Sequence, residues 1–143
     1  MANKSKLQTD FYDSITAFSR ALMPVRLDLL ADLDINLTQE ELLSTYDQPL
    51  HIKDIALLLA ITSSAATQLV ESLESGGYVT RKHSQQDRRV VDVLLTEKGR
   101  AKQQQILEAR RKLIDMMTMN LTEAEIHKLL RIQTKIITGL KEA

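Results

Sequence analysis

The chain contains no cysteine. Disulfides, thiolate metal sites, cysteine nucleophiles and thiol-based oxidant sensing are therefore excluded by chemistry. Glycine and proline are scarce, at 4 and 2 residues. That is too few to mark a domain boundary, and no internal repeat or low-complexity linker appears. The longest unbroken apolar run, Ile55 to Ile61, has seven residues, far short of the ~20 needed to span a bilayer. The start, Met1 to Lys6, leads into a polar amphipathic segment with no apolar run of signal-peptide length. A cytoplasmic chain with no membrane partner is expected.

An excess of either charge is also missing: 19 Lys and Arg balance 19 Asp and Glu. Taken alone, neutrality argues against a polyanionic partner. The charge is nevertheless sorted along the chain. From Met1 to Val79 there are 5 basic and 11 acidic residues, and from Thr80 to Ala143 there are 14 and 8. Arg81, Lys82, Arg88 and Arg89 fall within nine residues, opposed only by Asp87.

What is present is the composition of an ordinary globular protein. At 143 residues with 43% hydrophobic side chains, the chain fits one core, or one core plus helices that pair two copies. Leu7, Phe11, Ile15, Phe18, Leu22, Val25 and Leu29 recur every three or four residues, an apolar stripe on one helix that Pro24 can kink or split. Thr38 with Glu41 and Thr122 with Glu125 have the capping-box spacing, and Thr96 resembles them without the glutamate. Helix starts are predicted near these three threonines.

Between the outer helices, Ile52 to Leu59 and Thr62 to Ser75 read as two short helices about a tight Ala60-Ile61 turn, with Thr62 or Ser63 as N-cap. Gly76-Gly77 ends the second. The period then changes. Tyr78 to Lys82 and Val90 to Leu94 are rich in β-branched and aromatic residues, predicting two antiparallel strands joined by the polar tip His83 to Arg88. Long helices are expected over Thr96 to Met119 and Thr122 to Leu140. Terminal amphipathic helices need a surface on which to bury their stripes, and a second copy of the chain supplies one.

The predicted fold class is therefore mainly α with a small two-stranded β-wing: a winged helix-turn-helix flanked by N- and C-terminal dimerisation helices. Residues 1–36 form the N-terminal helix, 37–98 the DNA-binding domain and 99–143 the C-terminal helices. The geometry suits duplex DNA, since a helix fits the major groove and a basic hairpin reaches phosphates or the minor groove.

Asp87-Arg88-Arg89, followed after five residues by Leu95-Thr96 and then by Gly99, resembles the wing motif of the multiple-antibiotic-resistance (MarR) regulators. Ile55-Ala56, Leu59, Ile61 to Val70, Leu73-Glu74 and Gly77 to Val79 are similar to the family pattern ahead of it, so the detailed likeness covers roughly residues 48–104. The resemblance implies that Arg89 enters the minor groove or grips its phosphates while Asp87 orients it. It also implies a DNA affinity that falls when a small aromatic or anionic ligand binds between the paired helices and the winged domain.

On the second short helix, Ser63, Ser64, Thr67 and Gln68 should face outward, whereas Ala66, Leu69, Val70 and Leu73 face the core. Glutamine can pair with adenine through two bonds, and serine or threonine can serve bases or phosphates. The family often has arginine where Gln68 stands, and no basic residue occurs between Asp54 and Thr80. Lys53 is placed to touch a phosphate, Arg81 and Arg88 add wing charge, and His83 adds a titratable contact. His51, His83 and His127 are far apart and lack a cysteine partner, so no metal or cofactor is expected. Gly76, Gly77, Gly99 and Gly139 make no phosphate-cradling loop, and no catalytic triad stands out, so the chain is not read as an enzyme.

Two functional classes follow. One is a homodimeric transcription repressor on a near-palindromic duplex operator. The other is a winged-helix module that binds an acidic protein partner without specific DNA recognition.

Overall fold

The computed structural model describes residues 2–143, of which Ala2 contributes only its backbone. Met1, the first residue of the polar lead-in, lies outside the described residues. The elements are α1 (Ala2–Ala31), α2 (Leu37–Thr45), β1 (Leu50–His51), α3 (Ile52–Leu59), α4 (Ser63–Ser75), β2 (Val79–His83), β3 (Val91–Leu95), α5 (Glu97–Thr118) and α6 (Glu123–Glu142). They divide into two compact units, residues 1–110 and 111–143. Among the described residues no single helix is long and apolar enough to cross a membrane.

The first unit is organised around α4. Its inward positions Ala66, Leu69, Val70 and Leu73 pack with Leu42 and Leu43 of α2, Ile55 and Ala56 of α3, Val79 of β2, Val93 of β3 and Ile106 of α5. Within α4 these residues recur three or four apart, the spacing that places side chains on one face. Tyr46 closes one end of this core, its hydroxyl donating to the Val93 carbonyl.

The helix-turn-helix junction is made by the backbone. Ala60 takes the left-handed conformation (φ 52°, ψ 44°), which costs an L-residue about 1–2 kcal/mol. Its neighbour Ile61 donates to the Ala56 carbonyl at 3.0 Å, and the Thr62 hydroxyl caps α4 by accepting from the Ala65 N–H at 3.1 Å. Thr62 is thus the cap, which leaves the Ser63 hydroxyl to solvent. At the far end Gly77 has φ +80°, and Gly77 and Tyr78 donate back to Glu74 and Leu73, each at 2.9 Å. This is the Schellman pattern that a left-handed glycine permits.

Each strand begins one residue later than the side-chain pattern predicts. The Tyr78 N–H is consumed in closing α4, so the ladder starts at Val79. The Val90 N–H is likewise consumed inside the tip, donating to Asp87 at 3.0 Å.

The wing is also larger than expected. The sheet has three strands in the order β1-β3-β2, with Leu50 opposite Val93 and His51 opposite Asp92. A two-residue strand is too short for alternation to be visible in sequence. Pairing with β3 defines it, and His51 Nδ1 lies 3.1 Å from Asp92 Oδ1.

The first capping box is shifted as well. Asn36, not Thr38, caps α2: its side chain accepts from the Gln39 N–H at 2.9 Å, and the Gln39 side-chain carbonyl oxygen accepts from the Asn36 N–H at 3.0 Å. Asparagine is at least as good an N-cap as threonine, and starting the helix at Leu37 turns Glu40 inward. The box at Thr122 and Glu125 forms as the spacing predicts. Helix α1 continues through Pro24 without a break.

Candidate nucleic-acid interface

The outward face of α4 is short and polar. Ser63, Ser64 and Gln68 are exposed. Thr67 is half-buried and donates its hydroxyl proton to the Ser63 carbonyl at 2.9 Å, so its oxygen faces outward mainly as an acceptor. Lys53 is exposed on the first turn of the preceding helix, α3.

The wing tip is tied together by its own polar groups. Asp87 Oδ1 accepts from the Arg89 backbone N–H at 3.0 Å and from Arg89 Nε at 3.2 Å. The backbone bond first, and the guanidinium second, hold the Asp87 carboxyl below its ordinary value. The Arg89 side chain is 90% exposed while so held. A carboxylate is thus spent on aiming a guanidinium rather than on meeting a polyanion, and Arg88 stands exposed beside it. His83 Nδ1 lies 2.9 Å from the Arg88 carbonyl, binding the end of β2 across the tip. Ser84 adds a backbone bond to the Val90 carbonyl at 2.9 Å.

Arg81 has a different setting. Its Nη2 and Nε donate to Glu74 Oε1 at 2.8 and 3.2 Å, joining β2 to the last turns of α4. Their mutual hydrogen bond lowers the Glu74 carboxyl and raises the Arg81 guanidinium relative to their ordinary values. Glu74 has no signature in sequence, because its seven-residue separation from Arg81 spans a helix end and a strand start. The structure therefore brings Asp87, Arg88, Arg89 and His83 into one hydrogen-bonded tip, sets Arg81 against α4, and leaves Lys53 on a separate helix. Among the described residues no cluster of three or more His, Asp or Glu side chains is placed to hold a metal ion.

The junction behind the wing explains the Leu-Thr-x-x-Gly part of the motif. Thr96 donates its N–H to the Tyr78 carbonyl at 3.1 Å and its hydroxyl proton to the Gly77 carbonyl at 2.6 Å, while its Oγ1 accepts from the Gly99 N–H at 3.0 Å. Lys98 Nζ reaches the Gly76 carbonyl at 2.6 Å and lies over the Tyr78 ring at 4.9 Å. The end of α4 and the start of α5 thus share one polar joint.

A family model described as the MarR family matches residues 42–90. The HTH-type transcriptional repressor MdtR of Bacillus subtilis (strain 168) is 26% identical over 138 residues, 95% of this chain and 89% of the relative. The uncharacterized HTH-type transcriptional regulator YwhA of the same organism is 38% identical over 85 residues, 59% of this chain and 61% of the relative. In fold, a MarR family protein from Bacillus stearothermophilus superposes with a TM-score of 0.82 at 19% identity, covering 96% of this chain and 97% of its own. The chain is thus similar in sequence to the MarR family over residues 42–90 of its winged helix, and it shares its fold with a MarR family protein over nearly its whole length.

Proposed function

We propose that the protein is a homodimeric, sequence-specific double-stranded DNA-binding transcription repressor of the cytoplasm, released from its operator by a small aromatic or anionic ligand. The observation that carries DNA binding is the wing tip, in which Asp87 aims an almost fully exposed Arg89. The names of the relatives as transcriptional regulators, and of MdtR as a repressor, support the role. Residues 37–98 serve as the DNA-binding domain. Ser63, Ser64, Thr67 and Gln68 face the major groove, Arg88, Arg89 and His83 face phosphates or the minor groove, and Lys53 and Arg81 lie at the margin. Because α4 carries no cation on its outward face, the wing provides much of the electrostatic affinity.

Residues 1–36 and 99–143 serve pairing. On α1, Leu7, Phe11, Ile15 and Phe18 are exposed in one stripe; on α6, Leu129, Leu130, Ile137 and Leu140 are exposed in another. Stripes of this size on single helices are what a second copy covers. Pairing then holds two recognition helices about one DNA turn, ~34 Å, apart and favours a near-palindromic site. Sedimentation at micromolar concentration is expected to give a dimer, and a monomer would remove the paired-site reading. The ligand class rests on the family resemblance, and repeating duplex selection from a random pool with and without phenolic compounds tests it.

The binding test separates wing from helix. Arg89→Ala is expected to weaken all duplexes alike and to reduce the salt slope by about 1, whereas Gln68→Ala relaxes preference at one base pair by about 1–3 kcal/mol. Equal losses on selected and random duplexes for Gln68→Ala would sink the recognition-helix assignment. A flat salt dependence for the wild type would point to an acidic protein partner instead.

A further inference from the structure

His83 closes β2 opposite Val91, and its ring makes one defined hydrogen bond, Nδ1 to the Arg88 carbonyl at 2.9 Å. A carbonyl only accepts, so Nδ1 carries the proton. That bond is satisfied by the neutral ring protonated at Nδ1 and equally by the imidazolium. The nitrogen left to titrate is Nε2, on a residue exposed to solvent. In the neutral ring Nε2 presents a lone pair, which repels an approaching phosphate oxygen. Protonated, it becomes a charge-assisted donor.

The surroundings set the balance. Arg81 and Lys82 on β2 and Arg88 and Arg89 in the tip oppose a further positive charge, while Asp87 alone in the tip favours one. From β3, Val91 is neutral and Asp92 stands opposite Lys82. Asp92 also meets His51 of β1, and Glu74 of α4 is engaged with Arg81. A recess of about 240 Å³ opens on the wing between Arg81, Lys82, His83 and Val91; Arg81 and His83 share one face of β2, so an anion seated there meets the His83 ring with the Glu74-paired Arg81 beside it.

Resting on the DNA-binding reading above, we propose that this recess seats a DNA phosphate and that His83 takes up a proton at Nε2 as the phosphate enters, making operator binding proton-linked. The sign follows from linkage. Duplex binding favours the protonated ring, so the added affinity is full at low pH, where the free ring is already protonated, and is lost as pH rises through the titration of the complex. Each wing then contributes about a tenfold fall in affinity between about pH 6 and about pH 8. The imidazole becomes a reporter of pH built into the wing.

Fluorescence anisotropy with a selected duplex, at constant ionic strength and at both pH values, tests this in the full-length protein. His83→Asn keeps an amide donor near the position of Nδ1 to hold the Arg88 carbonyl but cannot titrate. The variant's affinity should be the same at both pH values. In the wild type, the His83 ring resonances should titrate at higher pH with duplex than without it. Wild-type affinity that is unchanged between the two pH values would overturn the proposal. So would a pH dependence that survives in His83→Asn, since it would belong to His51, His127 or the DNA. Binding that is salt-dependent yet indifferent to pH removes only the proton linkage. Binding to no duplex at either pH removes the DNA-binding reading and this one with it.

Discussion

Replacing Gly99 with alanine is expected to lower the stability of the winged helix by about 3 kcal/mol or more, a large share of the roughly 5–15 kcal/mol typical of a domain. A Cβ built on Gly99 lies 2.0 Å from the Tyr78 carbonyl oxygen, 3.0 Å from the Tyr78 carbonyl carbon and 2.9 Å from Leu95 Cδ2. The nearest atom is backbone. It is also the oxygen that accepts from the Thr96 N–H, so it cannot retreat without breaking the joint that starts α5. Two neighbouring bonds depend on the same geometry, from the Gly99 N–H to Thr96 Oγ1 and from the Thr96 hydroxyl to the Gly77 carbonyl. By contrast, the same methyl at Gly139, inside α6, meets nothing within 4 Å. Urea unfolding followed by circular dichroism checks the expectation. A Gly99→Ala protein with the wild-type midpoint and unaltered duplex affinity would show that the joint yields more easily than its bond lengths imply. The wing motif therefore has two physically distinct halves. Asp87 to Arg89 present charge, and Thr96 to Gly99 bring a helix against a strand with no room for a side chain.

How much of this was legible in the sequence depended on whether the signal was local. The helix-turn-helix was, because the apolar period, Thr62 and the Gly76-Gly77 pair are all local devices. The pairing of Asp87 with Arg89 was legible for the same reason, being two residues apart. Strand β1 was hidden because two residues carry no period. The first residue of each wing strand was misplaced because Tyr78 and Val90 have strand-forming side chains but spend their N–H groups on a helix end and a turn. At the start of α2 two overlapping capping patterns compete, Asn36 with Gln39 and Thr38 with Glu41, and the threonine reading puts the helix start two residues late. Arg81 read as free wing charge, although Glu74 holds it across a helix terminus. Arg26 carries no local signal of its partner, because it is committed to a carboxylate fourteen residues away that the sequence gives no reason to bury.

That carboxylate is Glu40, and its removal is the second large effect expected. Glu40 is the one buried charged side chain among the described residues, 3% exposed. It accepts from Arg26 Nη2 of α1 and, through its other oxygen at 2.7 Å, from Arg110 Nη2 of α5, which also reaches Ser44 Oγ at 2.7 Å. Both guanidinium groups remain partly exposed, at 30% and 38% of their side chains, so after Glu40→Ala they can turn toward water. The loss should therefore fall near the lower end of the usual range for breaking a buried ion pair, about 3 kcal/mol. Glu40→Gln, which keeps one acceptor, should lose less. A double-mutant cycle with Arg110→Ala isolates the coupling, and additive losses would show that the pair contributes nothing of its own.

The consequence for function reaches beyond stability, because the three helices that Glu40 joins have different roles in the proposed dimer. Helices α1 and α5 carry residues assigned to pairing, while α2 packs against the recognition helix and is bonded to it by Gln39 Nε2 and Ser72 Oγ at 3.2 Å. Loosening that node leaves each wing and recognition helix intact yet frees one half of the dimer to shift against the other. Glu40→Ala, measured below its unfolding transition, should thus weaken a duplex with two correctly spaced half-sites far more than a duplex with one. Equal weakening of both would mean that Glu40 supports the winged helix itself and plays no part in setting the spacing.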